Sequence, residues 1–317
     1  MNEFSSTTLS THQLKKVATP DPEVAAARCN NETYISLSNN TTTTTTTTSF
    51  SVLISVYSRE KASNLRISLE SVFEQTLPPT EVVLVEDGPL TPELYDVIEE
   101  YRKKHANLHS VKIEKNGGLG NALNEGLKHC HYELVARMDS DDICFPDRFE
   151  RQVKFMTEHP DIDVCSGWMS EFEGEPTNRI STKKVPSTHE EISHYIKLRN
   201  PLNHPAVMFK KSAVDAAGGY IHFTLFEDWY LWVRMWQNGA KFANIPAYLL
   251  NFRTSADMFR RRGGFKYACL SAKFQWMLHD IKMLSWFEAL RYSLMRGTVY
   301  IMPNWMRKLV YSKILRR

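Results

Sequence analysis

The sequence predicts an α/β protein, a mostly parallel sheet flanked by helices with a helical extension at the C-terminal end. Three observations predict it. From residue 50 onward, apolar runs and helical-period segments alternate four times. The strand candidates are near-continuous apolar runs rich in β-branched residues, the pattern of strands buried on both faces. Past Gly264 the chain reads as two or three helices.

The elements follow in order. Residues 50–57 (FSVLISVY) form the first strand. In residues 62–75 (ASNLRISLESVFEQ), Leu65, Leu69, Val72 and Phe73 recur at helical spacing, and TLPP ends that helix. EVVLVEDG (81–88) is the second strand. Residues 91–104 make a helix entered through Thr91-Pro92, proline being suited to the first turn. VKIEK (111–115), GLGNALNEGLKHC (118–130) and YELVARM (132–138) give strand, helix and strand. A helix follows Pro146 to about His159, and IDVCSGWM (162–169) is a further strand. Residues 170–225 read as irregular. EDWYLWVRMWQN (227–238) is helical with Gly239 as its stop, and KFANIPAYLLNFR (241–253) reads as a late strand pair.

Residues 1–49 read as a disordered, low-complexity tail. They are polar and end in SNNTTTTTTTTS, which has too little apolar surface to offset ordering entropy. A domain over 50–255 and a basic helical extension over 256–317 complete the expected organisation. The 42% apolar and 24% charged fractions are those of a globular protein. A net charge of +3 gives no reason to expect a nucleic-acid partner. The five cysteines are scattered without a C-x-x-C pair, so neither a zinc site nor a disulfide framework is expected. With no apolar leader and no spanning-length apolar run, the expected location is cytoplasmic.

LVARMDSDDICFP (134–146) places Asp139, Asp141 and Asp142 directly after an apolar strand. In an extended segment residues i and i+2 point to one side, so Asp139 and Asp141 can converge on one divalent cation, which relieves their repulsion and bridges to phosphate. The alternative is a solvated acidic turn before the helix from Pro146. The carboxyl end of a parallel strand is also where open α/β sheets bind ligands. Asp87 ends the second strand and faces the same crevice if the first, second and fourth strands are neighbours; Asp-Gly-Pro is equally good turn chemistry. NGGLGNALNEG lacks the third glycine of a dinucleotide fingerprint, and no G-K-[ST] phosphate loop occurs. Glu227-Asp228 at a helix start suits the macrodipole, or holds a general base beside Trp229 and Tyr230. His204, in NPLNHPAVMF, fits a structural role as well as a functional one.

Taken in sequence, FSVLISVY, EVVLVEDGP, NGGLGNALNEGL, VARMDSDDI and NHPAVMFKKS…GGY…EDWYLWVR resemble family 2 of the inverting glycosyltransferases. The likeness is to bacterial exopolysaccharide and capsule enzymes of the amylovoran-biosynthesis kind, and it covers about residues 50–255. It implies the GT-A fold, with a Rossmann-like sheet, and transfer of a hexose from a nucleotide sugar, UDP-linked, to a polysaccharide or lipid-linked acceptor. It implies that Tyr57 and Glu60 lie near the base, that Asp87 contacts the nucleoside, and that Asp139 and Asp141 hold Mn²⁺ or Mg²⁺ against the donor diphosphate. Asp139 also contacts ribose, Asp142 contacts metal or sugar, and Asp228 is the catalytic base. The first strand ends in Ser55-Val56-Tyr57-Ser58 where many relatives have a Pro-Thr-Tyr-Asn-like end. Two alternatives stand beside this reading. A sugar-nucleotide nucleotidyltransferase shares the architecture, but VYSREKAS lacks its glycine-rich signature. A non-catalytic membrane-associated assembly subunit would have no need of the acidic set.

Residues 282–317 hold eight Lys or Arg and a single acid, Glu288. Trp305, Met306, Leu309, Val310 and Ile314 share one face of a helix, an arrangement that suits either a membrane interface or packing on the domain. Phe259-Arg260-Arg261-Arg262 is a candidate diphosphate contact or ordinary exposed charge.

Overall fold

A computed structural model describes residues 48–254, 263–303 and 306. The Thr-rich tail up to residue 47, the triple arginine at 260–262 and the helix expected around 305–314 lie outside the described residues, Met306 apart. The first half alternates as expected: β1 (Phe50–Val56), α1 (Ala62–Phe73), β2 (Glu81–Asp87), α2 (Pro92–Lys104), β3 (Leu108–Ile113), α3 (Leu119–His129) and β4 (Leu134–Asp139). Then come β5 (Ile143–Cys144), α4 (Arg148–Glu158), β6 (Val164–Phe172), β7 (Arg179–Lys183), α5 (His189–Tyr195), β8 (Met208–Lys210), α6 (Lys211–Ala216), α7 (Glu227–Gln237) and β9 (Phe242–Arg253). Two long helices follow, α8 (Phe265–Asp280) and α9 (Trp286–Ile301).

The sheet runs β3-β2-β1-β4-β8-β6-β9-β5, with β7 paired to β6. The first four strands are parallel. β8 joins them antiparallel to both β4 and β6, while β6 and β9 are parallel. The chain grows outward from β1 to β3 and then crosses to β4 on the other side of β1. Open sheets form ligand crevices at such a switch.

Alternation along the strands divides the core in two. Val52, Ile54 and Val56 of β1 face the layer of α1, α2 and α4. Leu53 of β1, Val83 and Val85 of β2 and Val135 of β4 face α3, α7 and α8. Both layers are apolar, which is why these strands read as continuous apolar runs. The α3 layer comes close: a Cβ on Gly126 would lie 2.3 Å from Leu53 Cδ1 and 2.6 Å from Val85 Cγ2. Glycine at 126 is what lets the helix sit this near the sheet.

Two expectations are corrected. Residues 170–225 are not featureless: they hold β7, α5, β8, α6 and a 3-10 turn over His204–Ala206. They are short elements with little periodicity to read, although α5 carries a complete capping box between Thr188 and Glu191. The expected strand pair at 241–253 is one 12-residue strand. Its pairing with β6 jumps from Gly167↔Ile245 to Trp168↔Tyr248, so Pro246 and Ala247 bulge out of register and proline's missing N–H is accommodated.

Candidate active site

The carboxyl ends of β1, β2 and β4 meet at one edge of the sheet. Ser55 of β1 is level with Asp139 of β4, and Val56 with Glu86 of β2. Asp139 and Asp87 also share the α3 side of the sheet, two and four residues on from strand residues of that parity, Arg137 and Val83. Asp87 and Asp139 thus end strands on either side of β1 at the same edge of the sheet.

Asp139, Asp141 and Asp142 each offer a carboxylate oxygen, and the three lie within 4.8 Å of one another. A turn at 140–141 brings them together, not the extended segment expected from their spacing. Ser68 of α1 donates to the Asp139 carbonyl at 3.2 Å and steadies that turn. Asp142 is fully buried: Oδ1 accepts from the Arg253 backbone N–H at 2.8 Å, while Oδ2 has no partner among the described residues. Arg253 Nε donates to the Asp141 carbonyl at 2.9 Å. The cluster is not a solvated turn.

Charge balance here is incomplete. At an effective dielectric of about 20, two charges about 5 Å apart repel by roughly 3 kcal/mol. Arg137, buried on β4, answers part of this by an ion pair with Asp139; its Nε and Nη1 have no hydrogen-bond partner among the described residues. Burial pushes Asp141 up to about 7, with the charges of Asp139 and Glu60 adding to the effect. Burial, then Asp141 and Asp139, hold the Asp142 carboxyl well above the usual carboxylate range. Hard oxygen ligands, mutual repulsion and an unpartnered buried oxygen fit a divalent cation such as Mn²⁺ or Mg²⁺.

The pH consequence has a definite sign. Asp141 titrates near 7 in the folded chain against 3.8 as an ordinary carboxyl. It contributes nothing below its ordinary value, destabilises progressively as pH rises between the two, and carries its full penalty above about 7. Thermal melting of metal-free protein is expected to fall, from this group, between about pH 5 and pH 8, and Mn²⁺ is expected to restore it most strongly at the higher pH. A Mn²⁺ stabilisation independent of pH would contradict this.

Asp87 is buried, and its carboxylate accepts from Asn116 Nδ2 at 3.0 Å, Gly117 N at 2.8 Å and Gly118 N at 3.1 Å. It thus pins the Asn116-Gly117-Gly118 loop at the start of α3. Gly88 serves the same junction: its φ is +83° and a Cβ there would lie 2.7 Å from Asn116 N. A carboxylate has about four acceptor positions; with three in use, one is left for a ligand. Tyr57 is exposed just past β1. Glu60 accepts from Lys61 N and Asn64 Nδ2, opening α1, and its charge is felt at Asp141.

Asp228 begins α7. It accepts from Asn200 Nδ2 through Oδ2 and from its neighbour Trp229 N through Oδ1 at 2.7 Å. Tyr220 is buried, which raises its pKa, and the charges of both Asp228 and Asp139 add to the effect. Its hydroxyl shares a 2.8 Å hydrogen bond with His204 Nε2. Burial first, and then Arg137, lower the His204 pKa well below the usual range, which keeps it neutral. His204 is thus a buried partner of Tyr220. Asn124 of α3 fixes Tyr220 by both backbone groups, donating to its carbonyl and accepting from its N–H, each at 2.7 Å.

One carboxylate cluster thus stands at the carboxyl end of β4 and a further carboxylate in the first turn of α7. The glycosyl transferase family 2 model matches residues 51–216. A UDP-Gal:alpha-D-GlcNAc-diphosphoundecaprenol beta-1,3-galactosyltransferase of Escherichia coli is 39% identical over 268 residues, covering 84% of this chain and 97% of that protein. The chain belongs to glycosyl transferase family 2. The amylovoran biosynthesis glycosyltransferase AmsE of Erwinia amylovora is 38% identical over 83% of this chain and 98% of its own. Among solved structures, the mannosyltransferase PcManGT from Pyrobaculum calidifontis, in complex with GDP-Man and Mn²⁺, superposes with a TM-score of 0.57 at 15% identity, over 84% of this chain and 75% of that one. This likeness is one of fold, and the family 2 chain described here has the GT-A architecture with C-terminal helices.

The resemblance to family 2 and to exopolysaccharide enzymes is borne out, and the chain is a glycosyltransferase. Asp228 lies outside the 51–216 match, on an element that follows it. Three residues at the family 2 site carry no motif. Arg137 was within reach, since position i−2 to Asp139 on a strand shares its face. Asn200 and Arg253 arrive from loops and strand ends 28 and 111 positions from their partners, with no local signal.

Proposed function

We propose that this glycosyltransferase is a metal-dependent, inverting hexosyltransferase that uses a UDP-sugar and an acceptor that is a lipid-linked saccharide or growing polysaccharide. The observation that carries the reading is the convergence of three carboxylates within 4.8 Å at the carboxyl end of a parallel strand. The name of the Escherichia coli relative, with UDP-Gal and a lipid diphosphate acceptor, supports the donor and acceptor classes. The reading places the enzyme in the cytoplasm, peripheral on the inner face of the membrane, with contact through residues 282–317.

Asp139 and Asp141 would hold the cation, with the buried Asp142 as a further metal or sugar contact. When bound, Mn²⁺ or Mg²⁺ supplies positive charge where the leaving diphosphate gathers negative charge. Tyr57 and Glu60 border the base, Asp87 keeps the loop at 116–118 in place and offers its remaining acceptor position to the nucleoside, and Asp139 also meets the ribose. Asp228 takes the acceptor hydroxyl's proton as that oxygen bonds to the anomeric carbon. The bond from anomeric carbon to phosphate oxygen breaks, and UDP departs with the electron pair. One displacement inverts the centre, so an α-linked donor gives a β-glycoside. Asn200 holds Asp228 in orientation.

The test is a mass-spectrometric screen of nucleotide sugars with and without Mn²⁺, followed by assignment of the product anomer. Release of UDP only with metal and a β-linked product are expected. Metal-independent turnover, an α-product, or release of pyrophosphate in place of UDP would each overturn the reading.

A further inference from the structure

The α9 helix (Trp286–Ile301) has two faces of different chemistry. Inward, Arg296 donates from Nε to Ser271 Oγ of α8 at 2.9 Å and from Nη1 to the Leu198 carbonyl at 2.6 Å. Its guanidinium lies 5.0 Å from the ring centre of Trp229. The helix therefore braces both the loop that carries Asn200 and the residue next to Asp228.

Outward, Phe287, Leu294 and Ile301 repeat every seventh residue and are 78%, 63% and 58% exposed. They form a stripe roughly 20 Å long at 1.5 Å per residue. Met295 and Trp286 flank it, and Phe265 adjoins its far end, because the neighbouring Gly264 N–H donates to the Tyr300 carbonyl. Large apolar side chains scattered singly need no explanation, but six on one helical hairpin mark an interaction surface.

The charge around the stripe selects the occupant. Arg291 lies within the stripe, Lys282 near its start and Lys266 beside Phe265, all exposed, against one exposed acid, Asp280, at the end of α8. The only acid in 282–317, Glu288, is committed to the Ser285 capping box. A second copy of the chain docked on this face would set one basic surplus against another. An anionic lipid surface accepts the apolar side chains and the cations together.

We propose that the outer face of α9, with Phe265 and Trp286, docks on an anionic lipid bilayer and so holds the Asp228 side of the site towards the membrane. The docking stands on these residues, and its catalytic benefit rests on the membrane-borne acceptor proposed above. The residues differ from those of the helix expected around 305–314.

Sedimentation of the full chain with vesicles tests this. Vesicles of phosphatidylcholine with about one-third phosphatidylglycerol are compared with phosphatidylcholine alone, beside size-exclusion chromatography and solution assays of UDP release. The wild type is expected to bind the anionic vesicles. The triple variant Phe287→Ser, Leu294→Ser, Ile301→Ser is expected to lose about tenfold or more of that partition, since membrane affinity scales with buried apolar area. Its melting and its UDP release in solution should be unchanged, because the three side chains are exposed and distant from the acidic cluster in the chain. A variant that sediments like the wild type overturns the proposal, as does a wild type that binds neither vesicle. A wild-type dimer that the substitutions split, without vesicle binding, also overturns it and assigns the face to self-association. Vesicle binding without UDP release would leave the docking standing and remove the proposed function; the reverse result would do the opposite.

Discussion

Asp228→Asn is expected to lower the rate of sugar transfer by about 10²–10⁴-fold, the usual value of a positioned general base. Binding of UDP and Mn²⁺ should be unchanged. The substitution keeps size and shape but removes the proton acceptor. Its effect on the fold is expected to be small, because Oδ1 can still accept from the Trp229 N–H at the start of α7. On the other oxygen, an amide would confront Asn200 Nδ2, and Asn200 cannot simply turn over, since its Oδ1 accepts from Leu202 N at 3.2 Å. Asn200→Ala is the companion variant: it leaves the base present but unaligned, and should cost less than Asp228→Asn. Steady-state kinetics with saturating donor separates the cases. A turnover number within about threefold of wild type for Asp228→Asn would remove this residue from the role of base.

Asp141→Ala is expected to abolish Mn²⁺-dependent UDP binding, weakening the cation by more than about 100-fold, beyond what loss of a supporting residue around a metal site costs. The same change should raise the melting temperature of the metal-free protein. Asp141 is a carboxyl pushed up to about 7 by burial and by its acidic neighbours, so deleting it relieves repulsion around Asp139 and Asp142. For a domain of this size each kcal/mol corresponds to about 2–4 °C. Opposite signs for metal affinity and stability distinguish a ligand from a structural carboxylate, whose removal would lower both. Calorimetric titration with Mn²⁺ and UDP, beside thermal melting in a chelator, reads the two together. Undiminished Mn²⁺-dependent UDP binding in this variant would end the assignment.

The reasons these residues sit together were only partly legible in the sequence. The run from β1 to β4 was readable because its inner strands are buried on both faces and announce themselves as apolar blocks. β3 begins at Leu108, three residues before its apolar core, since an edge strand alternates and blends into the preceding turn. The stretch from β6 to α7 hid its short elements because their order comes from packing and not from periodicity. The acidic cluster was visible as a motif, and its place at the carboxyl edge of the sheet followed from the topology. What did not show was how it is held: Arg253 reaches it from the end of β9 and Asn200 reaches Asp228 from an irregular loop, and pairing across such distances leaves no periodic trace. Asp87 was read as a ligand contact, and most of its bonding capacity goes to the loop at 116–118.

The hydrogen bonds from Arg253 to Asp142 and to the Asp141 carbonyl have a bearing on how this polypeptide can be divided. The family match ends at residue 216, which invites excision of a minimal catalytic fragment there. Such a fragment would lack α7 with Asp228, and the buried Asp142 would lose the only N–H that donates to it among the described residues. An autonomous piece must run through Arg253, and since Phe274, Leu278 and Ala289 of α8 and α9 belong to the core beneath α7, it must keep those two helices as well.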